Sequence, residues 1–408
     1  MKPMARPAPL ARVGGVLMGL AWQRMAVAMA AAAVMAAPVA AATVVMTPLN
    51  VNSALAQLRP GDTLRLEGVF TTRLAFQNRD FGGVTVDGSR ATLVQGLNLR
   101  NVHNITFAGL TVGAAGLATS ARFSINLDAS THVSFAETTI LGNGGSAGTG
   151  LRAINSEFVT VRDSRFEGLL DGMTLISSPN SLIARNRFEN GGSDGVKVVD
   201  SHRIILSGNS CSGFVIQPGV HPDCIQFLSR PDKPVQSDIY VLNNSVIGEQ
   251  QGFTSFDPAA FSGTRFTFAG NYVAITRPHG LSCFGCTDSR FIDNVIVTLP
   301  QSDRLAGLQV PGGANNVFQN NVNIDLRGIN APLDQVLPSR LYSALVPSVA
   351  GMVGSQHDNR DWRISDEPAL LSATGPVPEP GGWMMMLFGF VMVGRVLRGR
   401  QAARVVLS

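Results

Sequence analysis

The sequence of 408 residues predicts an all-β fold, a right-handed parallel β-helix solenoid that begins with a short amphipathic cap. Three observations favour it: a turn-rich composition, short strand-like runs that recur at a nearly constant interval, and a column of asparagines in phase with them. The composition includes 43 Gly and only 15% charged residues, which is typical of a turn-rich β protein rather than of long helices. A chain that is 45% hydrophobic can bury a sizeable core, so a disordered protein is excluded.

The repeat consists of an outward residue flanked by two inward apolar ones, and each strand-like run is closed by Gly, Asn or Asp. Successive central residues are 22 to 29 positions apart. A period of this length that contains several short strands predicts one coil of a β-helix. The nine central residues are Asn98, Asn126, Arg152, Thr174, Lys197, Gln226, Thr254, Ser282 and Gln309.

A second column consists of asparagines at the turn after the next apolar run of each coil. Stacked asparagines can hydrogen-bond along a solenoid, and they tolerate the left-handed turn conformation. Two columns with the same period make a chance pattern improbable. The second column comprises Asn186, Asn209, Asn244, Asn271, Asn294 and Asn321.

The solenoid is predicted to occupy residues 43–330. The segment from Val51 to Leu58 predicts a short amphipathic cap, which a solenoid needs because an open coil would expose its core and its strand edges. Residues 331–376 lose the period and contain many prolines, so they are interpreted as a C-terminal cap that passes into a linker.

The N-terminal segment, residues 1–42, predicts a secretory signal peptide. It is basic and free of acids, contains a short apolar run from Met25 to Met35, and ends in three alanines, so signal peptidase is expected to cleave after Ala42. The alternative is a membrane anchor, but the apolar run is too short to span a bilayer.

Residues 377–408 resemble the PEP-CTERM sorting signal of Gram-negative bacteria. Val377-Pro378-Glu379-Pro380 precedes the uncharged residues 381–394, and an arginine-rich tail follows. The resemblance implies processing by an exosortase near the Pro-Glu-Pro triplet, transient inner-membrane association, and then a place at the cell surface or in the matrix. Fourteen uncharged residues are fewer than the ~20 that a stable spanning helix needs, so this transmembrane segment would be short and weakly held.

The distribution of charged residues along the chain bears on the kind of binding partner. The net charge of +4 arises from eight basic residues in the two terminal segments, without which it becomes −4. A mildly acidic body argues against a nucleic-acid partner. We expect a monomer.

The four cysteines are compatible with disulfides in an exported protein, but they are too few for a disulfide scaffold. Cys211 and Cys224 are the more plausible pair. Cys283 and Cys286 form a CxxC, which fits a structural bridge or packing better than redox chemistry or a metal site, since no second CxxC follows.

The string ALAQLRPGDTLRLEGVF, at residues 54–70, resembles the opening of pectate-lyase-like β-helix proteins, and the coils resemble that superfamily through residue 328. The resemblance implies a substrate face on one sheet. The residue three before each outward position forms a neighbouring column on that face, which runs Thr149, Asp171, Asp194, Asp223, Gln251 and His279.

Three stacked carboxylates repel one another by about 3–4 kcal/mol per adjacent pair at an effective dielectric of 20. A bound cation, a neighbouring base or a raised pKa must relieve them. Lys197 lies between two of them, and it is one of only three lysines in the chain. Unlike arginine, a lysine can readily lose its proton.

The resemblance implies roles for these residues. Asp171, Asp194 and Asp223 would hold Ca²⁺ or substrate, Lys197 would be the base and Arg152 a carboxylate clamp. Thr174 and Gln226 flank Lys197 and are expected to bind substrate. His221 and His279 are candidate acids or bases near neutral pH. Asp-Gly before a strand is also ordinary turn chemistry, so the aspartate column fits a purely structural role as well.

Three functions follow. The first, which we favour, is an enzyme that acts on an acidic polysaccharide by β-elimination. The second is a hydrolase that uses two carboxylates, such as Asp194 and Asp223. The third is a noncatalytic surface protein that binds a glycan, since this fold hosts all three classes.

Overall fold

A computed structural model describes residues 41–113, 122–146, 148–216, 219–257 and 263–328. Within them the chain forms a parallel β-helix whose strands stack in three sheets, and every pairing is parallel. The predicted signal peptide, C-terminal cap and sorting signal lie outside the described residues, except for Ala41 and Ala42. Among the described residues, no helix has the length and apolar character needed to cross a membrane.

Sheet 1 carries the outward column predicted from the repeat. Its strands are β3 (Leu74–Leu93), β4 (Leu97–Ala108), β6 (Phe123–Asp128), β9 (Thr149–Ile154), β12 (Asp171–Ile176), β15 (Val196–Val199), β18 (Asp223–Leu228), β21 (Gln251–Ser255), β24 (His279–Cys283) and β27 (Gly307–Gln309).

Sheet 2 follows the first corner of each coil. It contains β1 (Thr43–Met46), β2 (Thr63–Phe70), the later parts of β3 and β4, β7 (Thr131–Ala136), β10 (Glu157–Arg162), β13 (Ser181–Ala184), β16 (Ile204–Ser207), β19 (Ile239–Leu242), β22 (Thr267–Ala269), β25 (Arg290–Ile292) and β28 (Val317–Gln319).

Sheet 3 closes each coil. It contains the ends of β2 and β3 together with β5 (Thr111–Val112), β8 (Thr139–Leu141), β11 (Arg165–Glu167), β14 (Arg187–Glu189), β17 (Ser210–Ser212), β20 (Ser245–Gly248), β23 (Tyr272–Ile275), β26 (Val295–Thr298) and β29 (Val322–Asp325).

The predicted N-terminal cap is confirmed as helix α1, Val51–Gln57. Ala54 is buried, and Val51 and Leu55 pack against the core from the same helix. The guanidinium of Arg79 donates a hydrogen bond of 2.6 Å to the carbonyl oxygen of Leu55, which satisfies one of the carbonyls that a helix end leaves free. The apolar face of α1 therefore covers core that would otherwise meet water.

Stacked aromatic rings fill part of the interior. Phe107 lies on Phe135 with ring centroids 5.2 Å apart, and Phe268 lies on Phe291 at 5.3 Å. Because equivalent positions recur at the coil spacing, one residue type repeated down a column packs against itself. The repeat thus sets the packing as well as the shape.

The asparagine column forms a buried ladder in the corner between sheets 2 and 3. Asn209 donates from Nδ2 to Oδ1 of Asn244 at 3.0 Å, and Asn271 donates to Asn294 at 2.9 Å. The left-handed residue is not the ladder asparagine itself but the residue before it, such as Asn243 with φ 54°. The predicted hydrogen bonding along the column is confirmed, and the left-handed conformation that asparagine tolerates falls on the preceding residue of each turn.

Both cysteine pairs are disulfides. Cys211 is bonded to Cys224 and Cys283 to Cys286, which confirms the favoured pairing and the structural interpretation of the CxxC. The first bond joins β17 of one coil to β18 of the next, across a separation of 13 residues. It fixes the start of the strand that carries Asp223.

Candidate functional site

The register of sheet 1 places the nine predicted outward residues in one line. Asn126 lies opposite Arg152, Thr174 opposite Lys197, and Lys197 opposite Gln226. Neighbouring side chains in such a line are about 4.8 Å apart. Ala75 precedes Asn98 in the same line and extends it by one coil. The predicted register is confirmed.

The aspartates of the neighbouring column bind the backbone of the next coil. Asp194 accepts a hydrogen bond of 2.9 Å at Oδ1 from the N–H of Asp223. Asp171 accepts a longer one of 3.4 Å from the N–H of Asp194. The residues Asp194 and Asp223 are 3% and 0% exposed, so part of their role is structural, as the turn interpretation held.

Lys197 is held between two of these carboxylates. Its Nζ lies 2.8 Å from Oδ2 of Asp194 and 3.6 Å from Oδ1 of Asp171. Burial opposes the charge, but the attraction of Asp194 and then of Asp171 outweighs it and raises the pKa of Lys197. The side chain is therefore an ammonium at neutral pH, which suits charge neutralisation better than the role of base expected from the sequence.

Asp223 and His221 form a second pair one coil further along. Nδ1 of the exposed His221 lies 3.4 Å from Oδ2 of Asp223, which also accepts a hydrogen bond of 3.0 Å from Nε2 of Gln226. Burial, and then the charge of Asp194, raise the pKa of Asp223 well above its ordinary value, against weaker opposing effects of Thr254 and Lys197. A buried carboxyl behind an exposed imidazole is an arrangement that orients a general base.

A Ca²⁺ site made from Asp171, Asp194 and Asp223 does not fit this geometry. The ammonium of Lys197 lies where a cation between Asp171 and Asp194 would sit, and Oδ1 of Asp194 is already occupied by a backbone N–H. The described residues contain no group of three or more His, Cys, Asp or Glu placed to hold a metal ion. The repulsion among the carboxylates is relieved instead by the ammonium of Lys197 and by the raised pKa of Asp223.

His279 lies further along the same face, among aromatic rings that the sequence analysis missed. Its ring centroid is 4.8 Å from that of Phe256, and Phe284 packs on Phe256 in turn at 5.3 Å. Burial lowers the pKa of His279, and the nearby charges of His221 and Arg304 act in the same direction. His279 is three coils from Asp194, but Phe256 also lies edge-on to the ring of His221 at 6.3 Å, so the His279 group adjoins His221 through that phenyl ring.

Arg152 is separate from Lys197 and His221, whereas Thr174 lies directly opposite Lys197. Thr174 is nearly buried. Arg152 lies two coils before Lys197, and its guanidinium stacks on the ring of Phe123 at 4.4 Å. The structure thus brings Asp171, Asp194, Lys197, Asp223, Gln226 and His221 together and places Arg152 and His279 on either side of them.

Comparison with known proteins supports the fold. The family model described as "Right handed beta helix region" matches residues 123–296. No curated protein sequence matches the chain.

Solved structures with a similar fold differ in activity. An alginate lyase from Paenibacillus sp. is 17% identical, with 69% of this chain and 99% of that chain covered and a TM-score of 0.41. A lacto-N-biosidase from Eubacterium ramulus is 15% identical, with 74% and 67% covered and a TM-score of 0.42. PfbA, a surface adhesin of Streptococcus pneumoniae, is 14% identical, with 65% and 79% covered and a TM-score of 0.41. At this identity the likeness concerns the fold alone.

Proposed function

We propose that sheet 1 binds an acidic polysaccharide and that the protein cleaves it by β-elimination, with Lys197 and His221 as the two side chains that act on the sugar. The observation that carries the proposal is the pairing of the exposed His221 with the buried Asp223, one coil from an ammonium held by two carboxylates. A base and a cation on one open face are the two groups that this reaction needs. Thr174, Gln226, Thr254 and Ser282 of the outward line are buried. A ligand would therefore meet this part of the face at the partly exposed Lys197 and the exposed His221.

The step follows from the chemistry of a uronate. The carboxylate of the sugar pairs with the ammonium of Lys197, which stabilises the charge that develops when the neighbouring C–H bond breaks. His221 takes that proton, the electron pair forms a carbon–carbon double bond, and the bond to the glycosidic oxygen breaks. The protonated imidazole of His221 then gives the proton to the leaving oxygen, so the products are an unsaturated end and a new alcohol, and His221 returns to its neutral form.

Hydrolysis by Asp194 and Asp223 has less support. Both carboxyls are buried, Asp194 is occupied by Lys197 and a backbone N–H, and Asp223 is occupied by Gln226. Neither can approach a glycosidic oxygen or a water on an outer face as the two carboxyls of a hydrolase must. The accessible groups of the site, the exposed His221 and the partly exposed Lys197, are those that elimination uses.

The test is an assay of the purified protein on a panel of acidic glycans, read as new ultraviolet absorbance from unsaturated ends. His221→Ala is expected to lower the rate by about 10²-fold or more, and its melting temperature should stay close to that of wild type because His221 is 62% exposed. His202→Ala, a half-buried histidine before β16, is the matched control and should retain activity.

Two outcomes would overturn the proposal. New reducing ends without absorbance would identify a hydrolase, and tight binding without any product would identify a noncatalytic glycan-binding protein. We expect activity to persist in EDTA, because the donor set around Lys197 does not fit a metal ion. Loss of activity in EDTA that Ca²⁺ restores would return the aspartates to the role first expected from the sequence.

A further inference from the structure

A basic pocket lies on sheet 1 several coils before the Lys197–His221 pair. It has a volume of about 430 Å³ and is lined by Arg73, Ala75, Asn98, Arg122, Phe123, Asn126 and Arg152. Three of these seven residues are arginines and none is acidic. Residues 43–380 together carry a net charge of −4, so this is a local concentration of positive charge.

The arginines are held in place by groups other than carboxylates. Arg122 and Arg152 both stack on the ring of Phe123, at 5.3 and 4.4 Å. Arg73 donates to the backbone carbonyl oxygens of Leu97 and Phe123, at 3.2 and 2.7 Å. Among the described residues, none of the three forms an ion pair. Their charges are therefore available to an anion.

Two polar atoms in the pocket are enclosed and have no partner within the described part of the chain. They are Nε of Arg152, a donor, and Oδ1 of Asn126, an acceptor. The amide of Asn126 is oriented by its donation of a 2.9 Å hydrogen bond from Nδ2 to Asn98. Both atoms are shielded from the open part of the pocket, so a ligand would meet the other guanidinium nitrogens of Arg152 rather than Nε or the amide oxygen of Asn126.

We propose that this pocket binds the oxyanion of an acidic sugar, a carboxylate or a sulfate, through the guanidinium groups of its three arginines. A guanidinium matches an oxyanion with two parallel hydrogen bonds. A neutral sugar would leave the arginines unpaired. The pocket would thus select acidic residues in the chain.

The inference rests on the proposed function for the identity of the ligand as a glycan. Arg152 and Lys197 are two coils apart in one line, which is roughly 10 Å at the coil spacing. A polysaccharide that lies along sheet 1 would therefore place one acidic sugar at Lys197 and another, further along the chain, at the arginine pocket.

The test measures binding separately from cleavage. In a His221→Ala background, calorimetry follows an oligouronate, a sulfated oligosaccharide and a neutral oligosaccharide of the same length at one ionic strength. Arg152→Gln and Arg122→Gln are each expected to weaken binding of the preferred acidic oligosaccharide about tenfold or more. The neutral oligosaccharide should bind weakly to every variant. Preference between the oligouronate and the sulfated ligand distinguishes a carboxylate from a sulfate.

Arg187→Gln is the matched control, since it removes the same charge from an exposed position on sheet 3. It should leave affinity unchanged. Equal affinity of Arg152→Gln and its parent, or equal affinity for acidic and neutral ligands, would overturn the inference. Arginine-dependent binding without cleavage by wild type would support the pocket and overturn only the proposed reaction, whereas cleavage with no dependence on the arginines would do the reverse.

Discussion

Single residues of the aspartate column differ more than their shared position suggests. Asp171 is partly exposed and lies 3.6 Å from the ammonium of Lys197, against which Asp194 is buried. Asp223 is buried behind the imidazole of His221 and the amide of Gln226. Of the three aspartates, only Asp223 is fully buried and has no lysine or arginine of the described chain in direct contact. The one side chain in contact with it there that could carry a positive charge is His221. Its carboxylate form is accordingly the least stable of the three in the folded protein.

Asp223→Asn is expected to stabilise the fold at neutral pH. The pKa of Asp223 is raised by burial and by Asp194, so the folded state resists losing this proton, and the stability of wild type falls as pH rises above the ordinary carboxyl value. Asparagine removes that cost, and its Nδ2 can donate to the buried hydroxyl of Thr254, which has no hydrogen-bond partner of good geometry. We expect a gain on the order of 1 kcal/mol at pH 7 that vanishes toward about pH 4, measured by denaturant unfolding across pH.

The matched control has the opposite sign. The pKa of Asp238 is lowered, first by its hydrogen bond with Arg265, so Asp238 contributes stability above the ordinary carboxyl value that is lost as pH falls through the lowered one. Asp238→Asn should cost a few tenths of a kcal/mol at pH 7, because the pair is half-exposed. Destabilisation by both substitutions would contradict the account of Asp223.

At the scale of the element, the repeat predicted strand register better than strand length. The triplets placed Lys197 opposite Gln226 because a period of two fixes which side chains face outward. Strands β1, β2 and β3 have no counterpart in the triplets. Strand β4 begins with the triplet centred on Asn98 but, like β2 and β3, continues round a corner without a break. A strand continues round a corner where a residue such as Asn78 or Asn101 has a positive φ. In the sequence, an asparagine at such a position looks like the residue that closes a strand, so the strand is predicted to end there.

Asn244→Ala should weaken the solenoid strongly for one small side chain. Oδ1 of Asn244 accepts from both the N–H and the Nδ2 of Asn209, and its own Nδ2 donates to the carbonyl oxygen of Leu206 at 2.8 Å. Alanine leaves these groups buried without partners, at about 1–3 kcal/mol each where no water replaces the amide. We expect a loss of roughly 2–4 kcal/mol in the free energy of unfolding.

Asn323→Ala provides the comparison, because Asn323 is an exposed asparagine in β29 at the end of the described solenoid. Its removal should change stability by less than about 0.5 kcal/mol. Similar losses for the two variants would mean that the ladder carries no special share of the stability.

At the scale of the whole molecule, sheet 1 carries its chemistry in three successive zones. The arginine pocket comes first, the Lys197–His221 pair follows, and the His279 aromatic group lies beyond it. Spacing along the chain predicted that Arg152, Lys197 and His279 share one face, since the coil period fixes the face. It did not predict that Arg152 stacks on Phe123 or that Phe256 packs on His279, because the triplets contain neither Phe123, the first residue of β6, nor Phe256.

The mature protein should lack both terminal segments, because the sequence predicts export and sorting signals there rather than coils of the repeat. The first strand, β1, begins at Thr43, directly after the predicted cleavage position, and α1 already covers core from residues beyond it. Intact mass of the protein from its native host is expected to correspond to a chain that begins at Thr43 and ends near the Pro378–Pro380 triplet. Glu379→Ala should preserve the N-terminal cleavage and retain the C-terminal segment, since it alters the triplet alone. A wild-type mass that includes Met1 through Ser408 would show that the segments are not removed, and equal masses for wild type and Glu379→Ala would show that processing does not depend on the triplet.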